Sequence, residues 1–346
     1  MQIDRRTFLL ASLAASACAR RNDDDPLPRA ARFLWAQQAA DGGFHSTSYG
    51  LLRSGQSLTP LVLGALLRVP GTIVPRSAGA VDRALAFITA HTNADGAVGR
   101  MEATAEDYPN YATALTISAF VRTGSSGWSD DIASMVAQLR MQQFSEANGW
   151  EPQHPAYGGW GMGGPIHRPP DAGHVDLSMT RFVLEALRAS GVPASDAAMA
   201  RALVFLDRSQ NPDGGFYFSP VNPGLNKAGE TGAGFASYGT ATADGVLALR
   251  ASGVPESDDR IVKGVQWLES HHQADRAPGF GDAQDSWSTG LRFYYASAIA
   301  HALPGLPVQL PPQAHDGSFR NANSLVKEDD PLIATAFAVH VLARPT

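Results

Sequence analysis

Six carboxylates in this 346-residue chain have surroundings that would suit acid chemistry: Asp107, Asp176, Asp244, Glu328, Asp329 and Asp330. Asp107, Asp176 and the Glu328-Asp329-Asp330 run each stand just ahead of a segment that is small or apolar on nearly every side, and Asp244 lies one turn inside another. A carboxyl group facing apolar space holds its proton more tightly than one in water. It can then serve as a general acid or base, or stabilise a cation that forms beside it. The same placement is also that of an N-cap, whose side chain accepts from the first free N–H groups of a helix, and Asp330 before Pro331 is an ordinary helix start. Both readings stay open at this point. Asp176, Asp330, Asp329 and Asp244 are the catalytic candidates.

Aromatic residues gather at the same places. Tyr111, Trp160, Tyr238, Trp287, Tyr294 and Tyr295 fall in Gly-rich loops or at the starts of the apolar segments. They are the candidate ligand-binding residues, either lining an apolar pocket or stabilising a cation face-on; the alternative is a set of core plugs. Other chemistry finds little support. The one cysteine, Cys18, precedes the folded part, so no thiolate metal site or thiol nucleophile is available there. His154, His167 and His174 share a loop with Asp171 and Asp176, in a spacing that fits no zinc pattern. The glycines between Tyr157 and Gly164 follow no strand and lack the Lys-Ser/Thr of a phosphate loop. Neither a metal nor another cofactor is expected. A net charge of −6 offers no footprint for nucleic acid.

The elements that must position these residues repeat. An amphipathic helix runs into a polar turn, then Gly and an aromatic or small residue, at Gly42-Gly43-Phe44, Asp95-Gly96, Gly149-Trp150, Gly214-Gly215-Phe216, Gly279-Phe280 and Gly317-Ser318-Phe319. The helix before each turn has one wet face, as in Ile132, Met135, Val136 and Leu139 at i, i+3, i+4, i+7. The helix after it is small or apolar nearly all round: Tyr111–Val121, Leu177–Ala189, Tyr238–Leu249, Tyr294–Ala302 and Pro331–Leu342. Alternation of half-wet and fully buried helices predicts an all-α fold of two concentric rings, a closed (α/α)6 toroid with six inner and up to six outer helices. The stretch 304–312 is too Pro-rich for a good outer helix. The alternative to closure is an open solenoid.

Lys263-Gly264-Val265-Gln266-Trp267-Leu268 and Arg201-Ala202-Leu203-Val204-Phe205-Leu206, with Gln210 and Gly214-Gly215-Phe216 following the latter, resemble the repeat of the prenyltransferase/squalene-cyclase superfamily. Tyr157-Gly158-Gly159-Trp160-Gly161, Asp176-Leu177-Ser178, Ser237-Tyr238-Gly239-Thr240 and Asp329-Asp330-Pro331 through Ala336 resemble a narrower group, bacterial squalene-cyclase-like proteins of unassigned activity. The similarity covers residues 28–343 and implies the terpenoid cyclase/protein prenyltransferase type of toroid. It implies less about activity, because that fold hosts several. The Asp-Cys-His zinc site of prenyltransferase β-subunits and the Cys-Gln thioester of complement-like toroids both need a cysteine that the domain lacks. Class II terpene cyclases carry Asp-x-Asp-Asp-Thr, whose middle Asp protonates an alkene. Here the matching string is Asp176-Leu177-Ser178-Met179-Thr180, with a hydroxyl in the proton-donating place. What the resemblance implies is an apolar or isoprenoid-like ligand in a central cavity. Its alternatives are a cyclase-like or lyase-like enzyme using Asp176 or Asp330, and a filled, non-catalytic scaffold.

The first residues read as an export signal. Arg5-Arg6 precedes Thr7-Phe8-Leu9-Leu10 and an apolar run to Ala17, similar to a twin-arginine signal, and the run closes on Cys18 as a lipobox would. The expectation is a signal over 1–18, a charged linker over 19–27 and the toroid over 28–346. The protein would then be periplasmic, or a lipoprotein held at the membrane through a lipid on Cys18.

Overall fold

A helix that is apolar on all sides must be covered on all sides. The computed structural model, which describes residues 25–76, 78–102, 105–232 and 234–343, meets that demand with a ring. Among the described residues, six helices form its inner wall: α2 (Leu58–Leu66), α4 (Pro109–Thr123), α6 (Leu177–Ala189), α8 (Gly239–Ala251), α11 (Arg292–Ala302) and α12 (Pro331–Leu342). Each packs on the next in that order, and α12 packs back on α2. The ring is therefore closed, and the open solenoid does not apply.

The outer layer holds α1 (Pro26–Ala36) against α12 and α2, α3 (Ala80–Ala90) against α2, α5 (Ser129–Met141) against α4, α7 (Ala197–Ser209) between α6 and α8, and α9 (Asp259–His271) against α8. The sixth outer position has no helix. The chain there turns at Pro304-Gly305 and goes on without helix or strand, and Val308 and Leu310 cover Ala296, Ala300 and Val341. Pro304, Pro307, Pro311 and Pro312 remove the backbone donors that a helix would need. α1 starts at Pro26, with Asp25 as its N-cap, inside the stretch expected as linker. Besides five short 3-10 helices, the described elements include a short α10 (Asp285–Gly290) and three two-stranded ribbons: β1 (Arg100–Glu102) with β2 (Ala105–Glu106), β3 (Trp160–Gly161) with β4 (Val175–Asp176), and β5 (Glu230–Thr231) with β6 (Gly234–Phe235). No helix of the described residues is long and apolar enough to cross a membrane.

The repeated turn has a chemical logic. A Gln just past an outer helix, or past the non-helical segment in the sixth outer position, donates from its amide both to its own turn and to the next outer helix: Gln38 to Gly42 and Ala80, Gln143 to Gly158 and Ala198, Gln210 to Gly214 and Arg260, Gln313 to Gly317 and Pro26. The backbone N–H past the glycines then donates to a threonine on the following inner helix. The pairs are Phe44 to Thr59, Val98 to Thr113, Trp160 to Thr180, Phe216 to Thr242 and Phe319 to Thr335, at 2.9–3.1 Å. These bonds correct the third turn expected from the sequence. It is made by Gly158-Gly159-Trp160, not by Gly149-Trp150, because Gln143 and Thr180 find their partners at the former. Gly158 has φ +87, and a Cβ there would sit 1.9 Å from the Arg201 carbonyl oxygen, so no other residue fits.

Candidate functional site

The starts of the inner helices gather at one end of the bore and enclose a cavity of about 260 Å3. Leu58 and Leu61 from α2, Tyr111 from α4, Ser178 and Phe182 from α6, Thr240 from α8, Tyr294 from α11, and Ile333 and Phe337 from α12 reach it from every wall. Phe218, Tyr238 and Leu291 close the gaps. The cavity floor is an aromatic belt. Tyr111 meets Phe182 edge-on at 4.7 Å between centroids, Phe182 lies 6.4 Å from Tyr294, and Tyr294 meets Phe337 edge-on at 5.6 Å.

One polar chain crosses that floor. Ser178 Oγ lies 3.0 Å from Tyr294 Oη, and the Tyr294 hydroxyl is 2.9 and 3.0 Å from the two oxygens of Asp244. Asp244 also accepts from Arg181 at 3.1 Å, and Arg181 donates in turn to Glu185 at 3.1 Å. Asp244 is 1% exposed. Burial raises its pKa to about 7, against the lowering influence of Arg181 and the Tyr294 hydroxyl. Ionised, Asp244 takes the Tyr294 proton into its own hydrogen bond, and Ser178 must donate to Tyr294. Protonated, Asp244 can donate to Tyr294, Tyr294 to Ser178, and the Ser178 proton is turned to the cavity.

The rim carries cations. Lys227 sits 3.8 Å above the Phe218 ring and donates to the Leu225 carbonyl, and burial lowers its pKa to about 8. Lys327 donates to the Tyr108 hydroxyl at 3.2 Å. Lys327 and Tyr108, with φ of 65° and 47°, are the two non-glycine residues of the described chain in the left-handed region, and both line the cavity. Beneath them Glu328 accepts from the backbone N–H groups of Phe293 and Tyr294 at 2.9 and 2.7 Å and from Asn321 at 2.9 Å. Burial nonetheless raises its pKa to about 7.

The candidates named from the sequence separate into two sets. Tyr111, Tyr238 and Tyr294 line the cavity. Asp176 does not: it caps α6, accepting from Met179 N at 2.7 Å and pairing with His174 at 2.7 Å. Asp330 caps α12 through Leu332 N at 2.9 Å and accepts from Ser46 at 2.5 Å, while Asp329 takes the Tyr49 hydroxyl. Asp107 reaches back to Ser57 N and to the hydroxyls of Ser54 and Ser57 at the start of α2. Asp107, Asp176 and Asp330 point at helix ends because free N–H groups are there to be met. Asp244 reaches the cavity only through Tyr294. Trp160 is buried in the core with its indole N–H on the Leu139 carbonyl, and Tyr295 points outward to His272. Trp287 stands beyond Lys227, with its ring 5.7 Å from that ammonium group. Cys18 lies outside the described residues. Among the described residues no group of three or more His, Cys, Asp or Glu is placed to hold a metal.

Sequence reasoning passed over Phe182, Phe337, Arg181, Lys227 and Lys327. The available signal for Arg181 was a guanidinium four residues before Glu185 on an inner helix. No periodic pattern marks the two loop lysines.

Residues 170–300 match the squalene-hopene cyclase C-terminal domain. Over that stretch the chain is similar to squalene-hopene cyclases. Drimenyl diphosphate synthase of Streptantibioticus cattleyicolor is 29% identical over 197 residues, which are 56% of this chain but 32% of that enzyme. The chain thus matches about a third of the length of this curated relative. Among solved structures, a type II terpene cyclase from Scytonema in complex with geranylgeranyl dihydroxybenzoate has a TM-score of 0.57 at 14% identity, over 92% of this chain and 95% of that one. A protein from Actinoplanes gives 0.55 at 17% identity, over 92% and 97%. The fold is that of the terpene cyclase toroid. Within it, the Thr180 of the class II-like string is the threonine that receives the turn's N–H, Asp176 is a helix cap, and Ser178 and Met179 are the members that face the cavity.

Proposed function

We propose that the cavity binds an apolar, isoprenoid-like molecule, with its polar end at the rim beside Lys227 and Lys327 and its chain on the aromatic belt. The observation that carries this reading is the cavity itself: a filled scaffold needs no void, and this one has walls of Leu, Ile, Phe and Tyr with few polar groups. The drimenyl diphosphate synthase relative and the Scytonema cyclase with its geranylgeranyl ligand support the ligand class. Lipid extraction and mass spectrometry of the purified protein, followed by titration with geranylgeraniol against intrinsic fluorescence, test it. Saturable binding is expected. Met179→Trp, which pushes an indole into the cavity, should abolish binding while the protein still melts cooperatively. An unaltered affinity in that variant would place the ligand elsewhere.

A second reading rests on the Ser178–Tyr294–Asp244 chain. An acid with a pKa near neutrality is too weak for an isolated alkene. It suits protonation of a ligand oxygen, with Asp244 as the proton source and Ser178 as the delivering hydroxyl. If turnover is found, Tyr294→Phe should cut kcat by about 100-fold and leave ligand affinity nearly unchanged; equal kcat in the two proteins would remove the relay.

We also propose that the protein is exported. Arg5-Arg6, the apolar run and Cys18 support a protein carried out of the cytoplasm and anchored by lipid. Cys18→Ser should shift it from the membrane to the soluble fraction, and a double Arg→Lys change at residues 5 and 6 should hold it in the cytoplasm.

A further inference from the structure

Below the aromatic belt the bore opens again, at the C-terminal ends of the inner helices. This second chamber is about 70 Å3, room for a few waters or one small ion. Its walls carry Arg68, Arg122, Arg181, Glu185, His301 and His340. Phe182, Tyr294, Phe337 and Leu61 line both spaces and divide one from the other.

The charges here do not balance. The nearby carboxylates, Glu185 and Asp244, are both engaged by Arg181. Among the described residues, no group accepts a hydrogen bond from the guanidinium of Arg68 or Arg122 or pairs with it. Burial and the Arg122 guanidinium lower the Arg68 pKa to about 10. His301 and His340 stand with ring centroids 6.0 Å apart; burial and the Arg68 charge hold His301 down to about 3 and His340 well below its usual value. Both imidazoles are therefore neutral, and each keeps an N–H to offer. Cations at helix C-termini offset the negative end of the macrodipole. A guanidinium serving only that purpose would donate to the terminal carbonyls, and these two do not. Arg presents a planar fork suited to two oxygens of one anion.

We propose that this chamber binds a small oxyanion, a phosphate or carboxylate group, between the guanidinium groups of Arg68 and Arg122, with the imidazoles of His301 and His340 as further donors. The chamber is too small for an apolar tail, and the aromatic belt separates it from the upper cavity. The anion is thus independent of whatever the upper cavity holds.

Calorimetry on the full chain at low salt tests this, with inorganic phosphate, acetate and a short alkyl phosphate as probes. One-to-one binding of phosphate or acetate is expected, together with a rise in melting temperature on adding the anion. Arg68→Gln and Arg122→Gln should each weaken binding at least about tenfold, and Arg68→Lys, which keeps charge but loses the fork, should fall between. Lys263→Gln, on the outer helix α9 and away from both spaces, should change nothing. Tighter binding of the alkyl phosphate than of inorganic phosphate would mark the anion as the head group of a larger molecule; equal binding would mark it as the free ion. Because Arg68 and Arg122 crowd one another, Arg68→Gln should melt no lower than wild type when no anion is present. Three results would each overturn the proposal: no saturable binding of any probe up to about 10 mM, binding that survives both Arg→Gln variants, or binding that is lost with Lys263. A lower melting point in Arg68→Gln without any anion effect would reduce the arginines to helix-end compensation.

Discussion

At the scale of the residue, the same side-chain type does opposite work depending on what lies within reach. Asp176 and Asp330 accept from the first N–H groups of their helices, so their removal should be felt in stability. Asp176→Ala is expected to cost about 1 kcal/mol and to leave geranylgeraniol binding unchanged; a loss of binding at unchanged stability would return Asp176 to the site. Glu328 differs because it is buried without a cation bonded to it. Its pKa rises from the usual 4.5 to about 7, so between those values the folded protein holds a proton that the unfolded chain has released. Stability from this group is full below about pH 4.5 and declines as pH rises through 7. Melting curves at pH 5 and pH 8 should show the wild type losing stability across that interval, and Glu328→Gln should flatten the difference. Whether an acid caps or faces a void depends on a rotation of its side chain about a helix start, which composition and spacing do not contain. That is why Asp176 and Asp330 looked catalytic in the sequence, and why Tyr111, Tyr238 and Tyr294, which line the bore, carried the same signal as Tyr295 and Trp160, which do not.

At the scale of the element, most of the toroid was written in periodicity. Fully apolar helices alternating with half-wet ones state their own depth, and the prolines of 304–312 announce the missing outer helix. The turns were less legible. Gly149-Trp150 and Gly158-Gly159-Trp160 offer the same residue types, and only the reach of Gln143 and Thr180 decides between them. The threonine link should be costly to break. Thr242→Val removes the acceptor for the buried Phe216 N–H and the hydroxyl that donates to the Tyr238 carbonyl, while keeping the shape of the side chain. A loss of about 1–3 kcal/mol is expected, read from denaturant midpoints; a shift indistinguishable from zero would mean that these links are incidental to the repeat.

At the scale of the whole molecule, the ring has a seam. Its first inner helix, α2, is covered on one side by the last, α12. The bonds across this join come from opposite ends of the chain: Arg29 to the carbonyls of Ala314 and His315, Gln313 to that of Pro26, and Ser46 to Asp330, 284 positions apart. While the polypeptide is being synthesised, the bore is a trough. Its aromatic wall stays open to water until residues 331–342 have left the ribosome, and the stave that seals it is the last one made. A chain stopped before Pro331 would keep five inner helices and yet leave α2 and α11 each with a bare apolar flank, so it should aggregate rather than fold to a slightly weaker barrel. Moving the break should be far less harmful. A circular permutant that joins the two ends of the toroid by a short linker and opens the chain within the exposed β5–β6 ribbon would keep every contact of the seam. It should melt close to the parent, because what the barrel requires is that the last stave arrive, whichever stave that is.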